Sequence, residues 1–148
     1  MKYTALFLLF AIVSCDIYTE PRNNPLHLNH SVGFSVNVIT PVTAKQVLSN
    51  GYKLHLASLD TRQTNAITIQ LLETSPFNSQ GEKKIDGVIY TFYSDTYESA
   101  TGGMEYTYKI WKPLGGLGGI CLEHYAQSDL SVSEGLLWDI AKTAQSTQ

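Results

Sequence analysis

From Gly33 onward, apolar residues recur at every second position in one run after another. That period of two constrains the chain to a sheet with one buried face. Phe34, Val36 and Val38 alternate with Ser35 and Asn37; Tyr52, Leu54 and Leu56 with Lys53 and His55; Ile67, Ile69 and Leu71 with Thr68 and Gln70. Three more strands are expected over 88–93, 104–111 and 120–125. Sorted by parity, one face collects Phe34, Val36, Leu54, Leu56, Ile67, Ile69, Val88, Tyr90, Phe92, Tyr106, Tyr108, Ile110, Ile120 and Leu122, and is expected to be the core. The other collects Asn37, Lys53, His55, Thr68, Gln70, Thr91, Tyr93, Glu105, Thr107, Lys109, Trp111, Cys121, Glu123 and Tyr125, a wet but aromatic-rich surface.

Two helices complete the expectation. Residues 42–49 place Ala44, Val47 and Leu48 on one side and stop at Asn50-Gly51, which predicts a short helix with a left-handed cap after the first strand. Near the C-terminus, Ser131-Val132-Ser133-Glu134 reads as a capping box, and Val132, Leu136, Ile140 and Ala144 recur at i+4 beside Leu137 and Ala141. The expected fold class is α+β: a single antiparallel sheet of about six strands, a short helix after strand 1 and a C-terminal helix packed on one face.

The N-terminus has a different character. Met1-Lys2 precedes an apolar stretch from Tyr3 to Val13, too short to span a bilayer but suited to an export signal. It ends in Ile12-Val13-Ser14-Cys15, which resembles the lipobox of bacterial lipoproteins. That resemblance implies cleavage after residue 14, lipid attachment at Cys15 and, through Asp16, retention at the inner membrane facing the periplasm. The alternative is an ordinary cleaved signal peptide and a secreted product. Residues 16–30 are polar, with Pro21 and Pro25 and no assigned periodicity, so residues 15–30 are expected to be a tether and 31–148 the single folded domain.

Composition and spacing narrow the chemistry. The chain has 148 residues, a net charge of −3 and only 16% charged residues, without the basic face a nucleic-acid binder needs. The Gly115–Gly119 cluster lacks the lysine and following helix of a phosphate loop and reads as a turn. Cys121 and His124 are three apart on an expected strand, so thiol and imidazole diverge, and no catalytic residue is assigned. His27 and His30 lack a third ligand; no metal and no cofactor are assigned. Asp60, Asp86, Asp95, Glu98 and Glu105 fall at expected turns or strand ends.

The order of lipobox, tether, strand, short helix, strands and C-terminal helix resembles the PsbP-like, DcrB-like envelope lipoproteins. Several small immunity lipoproteins of type VI secretion systems are similar in size and export. The resemblance implies a non-enzymatic, membrane-anchored protein that binds another protein, foremost an immunity protein neutralising an effector that attacks the cell envelope. A DcrB-like role in phage entry, assembly or membrane homeostasis is the alternative, and a small periplasmic hydrolase or ligand carrier is a third reading. Large aromatic residues and flanking charges dominate interface energetics. The candidate partner-binding residues are therefore Asp95, Tyr97 and Glu98 in an expected loop over 94–103, with Trp111 and Tyr125 on the aromatic face.

Overall fold

A computed structural model of the chain describes residues 15–22, 26–58, 62–127 and 134–148. The signal segment 1–14 and the Ser131–Ser133 part of the expected capping box lie outside the described residues. The described chain runs β1 (Cys15–Arg22), β2 (Leu26–His30), β3 (Phe34–Val38), β4 (Val42–Leu48), β5 (Gly51–Leu56), β6 (Asn65–Leu72), β7 (Gly81–Ile85) and β8 (Val88–Glu98). It continues through β9 (Met104–Pro113), a 3₁₀ turn (Gly115–Leu117), β10 (Gly119–Gln127), α1 (Glu134–Thr143) and β11 (Gln145–Ser146).

This corrects the expected fold class. Eight strands form one antiparallel sheet in the order β1-β4-β5-β6-β10-β9-β8-β7, and β11-β3-β2 form a second, three-stranded sheet. The described chain is mostly β, with one α-helix near the C-terminus and none after the first of the expected strands. Residues 42–49, expected to be helical, contain strand β4, whose register against β5 shifts between Val42 and Ala44. Beyond that shift the pairing is regular, so Val47 faces the opposite side from Ala44 and Leu48, and all three are half-buried: apolar residues on both faces of the strand gave the spacing that mimics a helix.

The segment expected as a tether contains two strands. Cys15–Arg22 pairs with β4 at the edge of the large sheet, where an edge position tolerates Pro21. Leu26–His30 pairs with β3, and Leu28 and His30 are 3% and 6% exposed. His30 is accommodated by hydrogen bonds at both nitrogens: Nε2 donates to the Leu48 carbonyl at 2.9 Å, and Nδ1 accepts from the Val32 amide at 3.2 Å. Strand β7 turns into β8 through Asp86 (φ 50) and Gly87 (φ 83). Two left-handed residues in a row suit a two-residue hairpin, and Asp-Gly is a favoured pair for it.

Parity separates the buried from the open face of the large sheet, but Phe34, Val36 and Asn37, expected on that same sheet, belong to the small one. Leu54, Ile67, Ile69, Ile110, Ile120 and Leu122 are fully buried on one face of the large sheet. They pack against Phe34, Val36 and Val38 of the small sheet and Leu137, Ile140 and Ala141 of α1. The helix sits one residue rotated from the expected stripe: Leu136 is half-buried, whereas Trp138 is buried. Trp138 lies edge-on to Tyr90 and Phe92, and its Nε1–H donates to the Tyr108 hydroxyl at 3.1 Å. Buried Trp needs such a partner for its one polar atom.

Candidate functional site

The face of the large sheet turned away from α1 can be read row by row across the strands. One row runs Tyr93, Lys109, Glu123, Thr68, Lys53 and Gln46. The next toward one end runs Asp95, Thr107, Tyr125, Ala66 and His55, and the last is Tyr97, Glu105 and Gln127. On the other side of the first lies the row Thr91, Trp111, Cys121, Gln70 and Gly51.

The end row is organised around one carboxylate. Hydrogen bonding from Tyr97, then from Tyr125, Ser99 and Gln127, holds the Glu105 carboxyl below the usual carboxylate range. The reciprocal effect pushes the Tyr97 phenol up to about 12, first through its bond to Glu105. Glu105 is therefore an ionised acceptor at neutral pH, and two tyrosine rings are oriented by it. Tyr97 remains 45% exposed. Asp95 Oδ2, in the neighbouring row, accepts from the Tyr93 hydroxyl at 3.2 Å, and in the row of Tyr93 itself Lys109 and Glu123 form an ion pair at 3.3 Å.

Of the candidate partner-binding residues, the fold brings together Asp95, Tyr97 and Tyr125. Strand β8 extends to Glu98, so Asp95 and Tyr97 stand on a strand and not in a loop. Glu98 pairs with Met104 and, one residue on from Tyr97, projects to the other side. Trp111 is six residues along β9 from Glu105, roughly 20 Å at ~3.4 Å per residue. It is half-buried, and its ring lies against Gly119: a Cβ there would fall 2.5 Å from Trp111 Cζ2. Phe77, in the connection between β6 and β7, lies on Tyr93 with ring centroids 6.2 Å apart, so that connection covers part of the aromatic face. Glu105 was not singled out for a role by its spacing. The signal was its position directly opposite Tyr97 in a hairpin, which the misplaced end of β8 concealed.

The cysteine and histidine side chains of the described residues are spread over both faces of their strands. Cys121 is on the open face, 6% exposed, and burial pushes its thiol up to about 12. His124 is on the core face, its Nε2–H donating to Asn65 Oδ1 at 2.9 Å, and burial drives its imidazole down to about 4. Thiol and imidazole thus lie on opposite sides of β10. His27 bonds Asn37 Oδ1 at 2.7 Å from the outer side of β2, whereas His30 faces inward. Among the described residues, no group of three or more His, Cys, Asp or Glu side chains converges on a point.

Two adjoining depressions open at the Glu105 end of the sheet. The larger, about 490 Å³, lies among Thr43, His55, Ser58, Arg62, Thr64 and Asn65. The smaller, about 250 Å³, lies between Arg62, Glu105, Gln127 and the Ser99–Gly103 turn. Compared with protein-family models and with curated proteins, the sequence matches none.

Proposed function

We propose that this chain is an exported, lipid-anchored protein that binds another protein, and that the binding surface is the end of the open sheet face built from Tyr97, Glu105, Tyr125 and Asp95. The observation that carries this reading is the shared carboxylate: Glu105 holds two exposed or half-exposed tyrosines in place before any partner arrives. Large aromatic side chains already fixed in orientation lose little conformational entropy on binding. The partner class favoured by the export signal is a secreted effector acting on the cell envelope, neutralised by occlusion and without chemistry in this chain.

The anchor fits that use of the surface. Cys15, the lipid-attachment residue on this reading, begins β1 at one edge of the large sheet, whereas Tyr97 stands on β8 near the opposite edge. Asp16 pairs with Lys45 at 3.0 Å, joining the anchored end to the fold. A lipid at Cys15 therefore leaves the tyrosine end on the aqueous side, at the periplasmic face of the inner membrane.

Calorimetric titration of the purified protein against the product of the neighbouring gene tests the surface. Tyr97→Ala or Tyr125→Ala is expected to weaken binding about thirtyfold, the ~2 kcal/mol of an anchor residue. Undiminished affinity in both variants places the partner elsewhere. Acyl-label incorporation tests the anchor separately: Cys15→Ser should abolish it, and label retained in that variant removes the lipoprotein reading.

A further inference from the structure

We propose that the connection between β6 and β7, residues 73–80, is a strap across the open sheet face, held shut by a single latch, the Phe77 ring seated on Tyr93. Lifting it uncovers Cys121 and Trp111 while the sheet stays folded. This device does not depend on the partner-binding reading.

The sheet order forces the crossing. Strands β6 and β7 are separated by β10, β9 and β8, four strand spacings or roughly 19 Å at ~4.8 Å each. The strap leaves β6 at Leu72, which pairs with Gly119. It enters β7 at Gly81, in the row of Phe92, Ile110 and Leu122. Between those two rows lies the open-face row Thr91, Trp111, Cys121 and Gln70. Phe77 lies on Tyr93, an open-face residue, so the strap passes over that face and not around the end of the sheet. Cys121 points to this face and yet is only 6% exposed. A strap crossing its row accounts for that burial.

Few bonds hold the strap down. Among the described residues, its one hydrogen bond to another backbone group is from the Gln80 amide to the Phe92 carbonyl at 2.8 Å, at its far end. Gln80 also donates from Nε2 to the Ser94 carbonyl and accepts from the Ser94 amide through Oε1, both at 2.9 Å. Those bonds fix a hinge at Gln80. Glu73, Thr74, Pro76, Asn78 and Ser79 are exposed, and Phe77 is the one large side chain turned inward. Its seat is held in place, because the Tyr93 hydroxyl donates to Asp95 Oδ2 at 3.2 Å. A segment with one buried apolar contact and no ladder of its own opens well below the cost of global unfolding.

Cys121 reports the state of the strap. Beneath it the thiol stays protonated, whereas a thiol in water ionises near pH ~8.5 and reacts. Iodoacetamide is applied at pH 8 without denaturant, and modification of Cys121 is read by peptide mass. Phe77→Ala should be modified at least about tenfold faster than wild type while keeping a cooperative thermal melt. Urea below the unfolding transition should barely change the rate in that variant, because a local opening exposes little new surface. Asn78→Ala, on the outer side of the strap, is the control and should match wild type. A folded Phe77→Ala in which Cys121 is as protected as in wild type overturns the proposal. So does modification that rises with urea as steeply as global unfolding does. Should Phe77→Ala not fold, Tyr93→Ala removes the seat, leaves the strap unchanged and is judged by the same outcomes.

Discussion

The ammonium group of Lys112 lies 2.5 Å from the carbonyl oxygen of Ala144, inside the protein, on the side of the sheet that faces the helix. It reaches the Lys142 carbonyl as well, at 3.3 Å, and sits 5.6 Å from the Tyr90 ring centroid. The last carbonyls of a helix have no partner within it and carry its negative end. A sheet lysine therefore supplies the donor that closes α1, and burial lowers its pKa. Lys112→Ala leaves those carbonyls unsatisfied and should lower unfolding free energy by about 1–3 kcal/mol. Urea denaturation measures it; an unchanged midpoint would show that water replaces the ammonium without loss.

The helix should behave as a structural lid over the sheet. Leu137 and Ile140 are fully buried, so either residue changed to alanine should cost about 2–5 kcal/mol. Lys142→Ala removes only an exposed i,i+3 pair with Asp139, worth at most a few tenths of a kcal/mol. Thermal melts that rank these three in any other order would contradict the observed orientation of the helix.

Stability should fall on mild acidification because of His124. Its folded pKa is about 4, against an unfolded value near 6.5. Between those values the unfolded chain binds the extra proton and the native state does not. The stabilisation is therefore complete above pH 6.5 and lost progressively as pH falls toward 4. A gap of that size corresponds to about 3 kcal/mol in all. Chemical denaturation at pH 7 and pH 4.5 should show the loss, and His124→Gln should flatten it. Equal slopes in the two proteins would assign the pH dependence to the carboxylates.

Cys121 should be chemically silent in the native state. It is buried, and desolvation keeps its thiol protonated at any ordinary pH. Iodoacetamide at pH 8 should modify it only after denaturant is added. Rapid native labelling would mean that the covering connection opens.

Stability and partner binding should separate on the open face. Trp111 packs over Gly119, so Trp111→Ala is expected to lower the melting temperature more than it lowers affinity. Tyr97→Ala, at an exposed position, should do the reverse. Trp111→Ala that keeps wild-type stability and loses binding would move the surface along the sheet by three rows.

What the sequence determined by itself was which residues face which way. In β5, β6, β9 and β10, where the period of two is unbroken, parity separated the core face from the aromatic face, because a strand offers no third direction for a side chain; it could not tell that Phe34, Val36 and Asn37 stand in a second sheet. The divergence of Cys121 and His124 follows from the same rule. Tertiary structure decided the rest. Cys15–Arg22 is held as an edge strand by backbone pairing with β4, which its polar side chains do not announce. Apolar residues on both half-buried faces disguised β4, and the inward His30, acceptable only because Leu48 and Val32 satisfy both its nitrogens, disguised β2. Glu105 became a site only when a hairpin set it opposite Tyr97 and beside Tyr125, and Lys112 became a helix cap only when α1 crossed the sheet. Such roles depend on neighbours far away in the chain, and local periodicity carries no record of which strands will be adjacent.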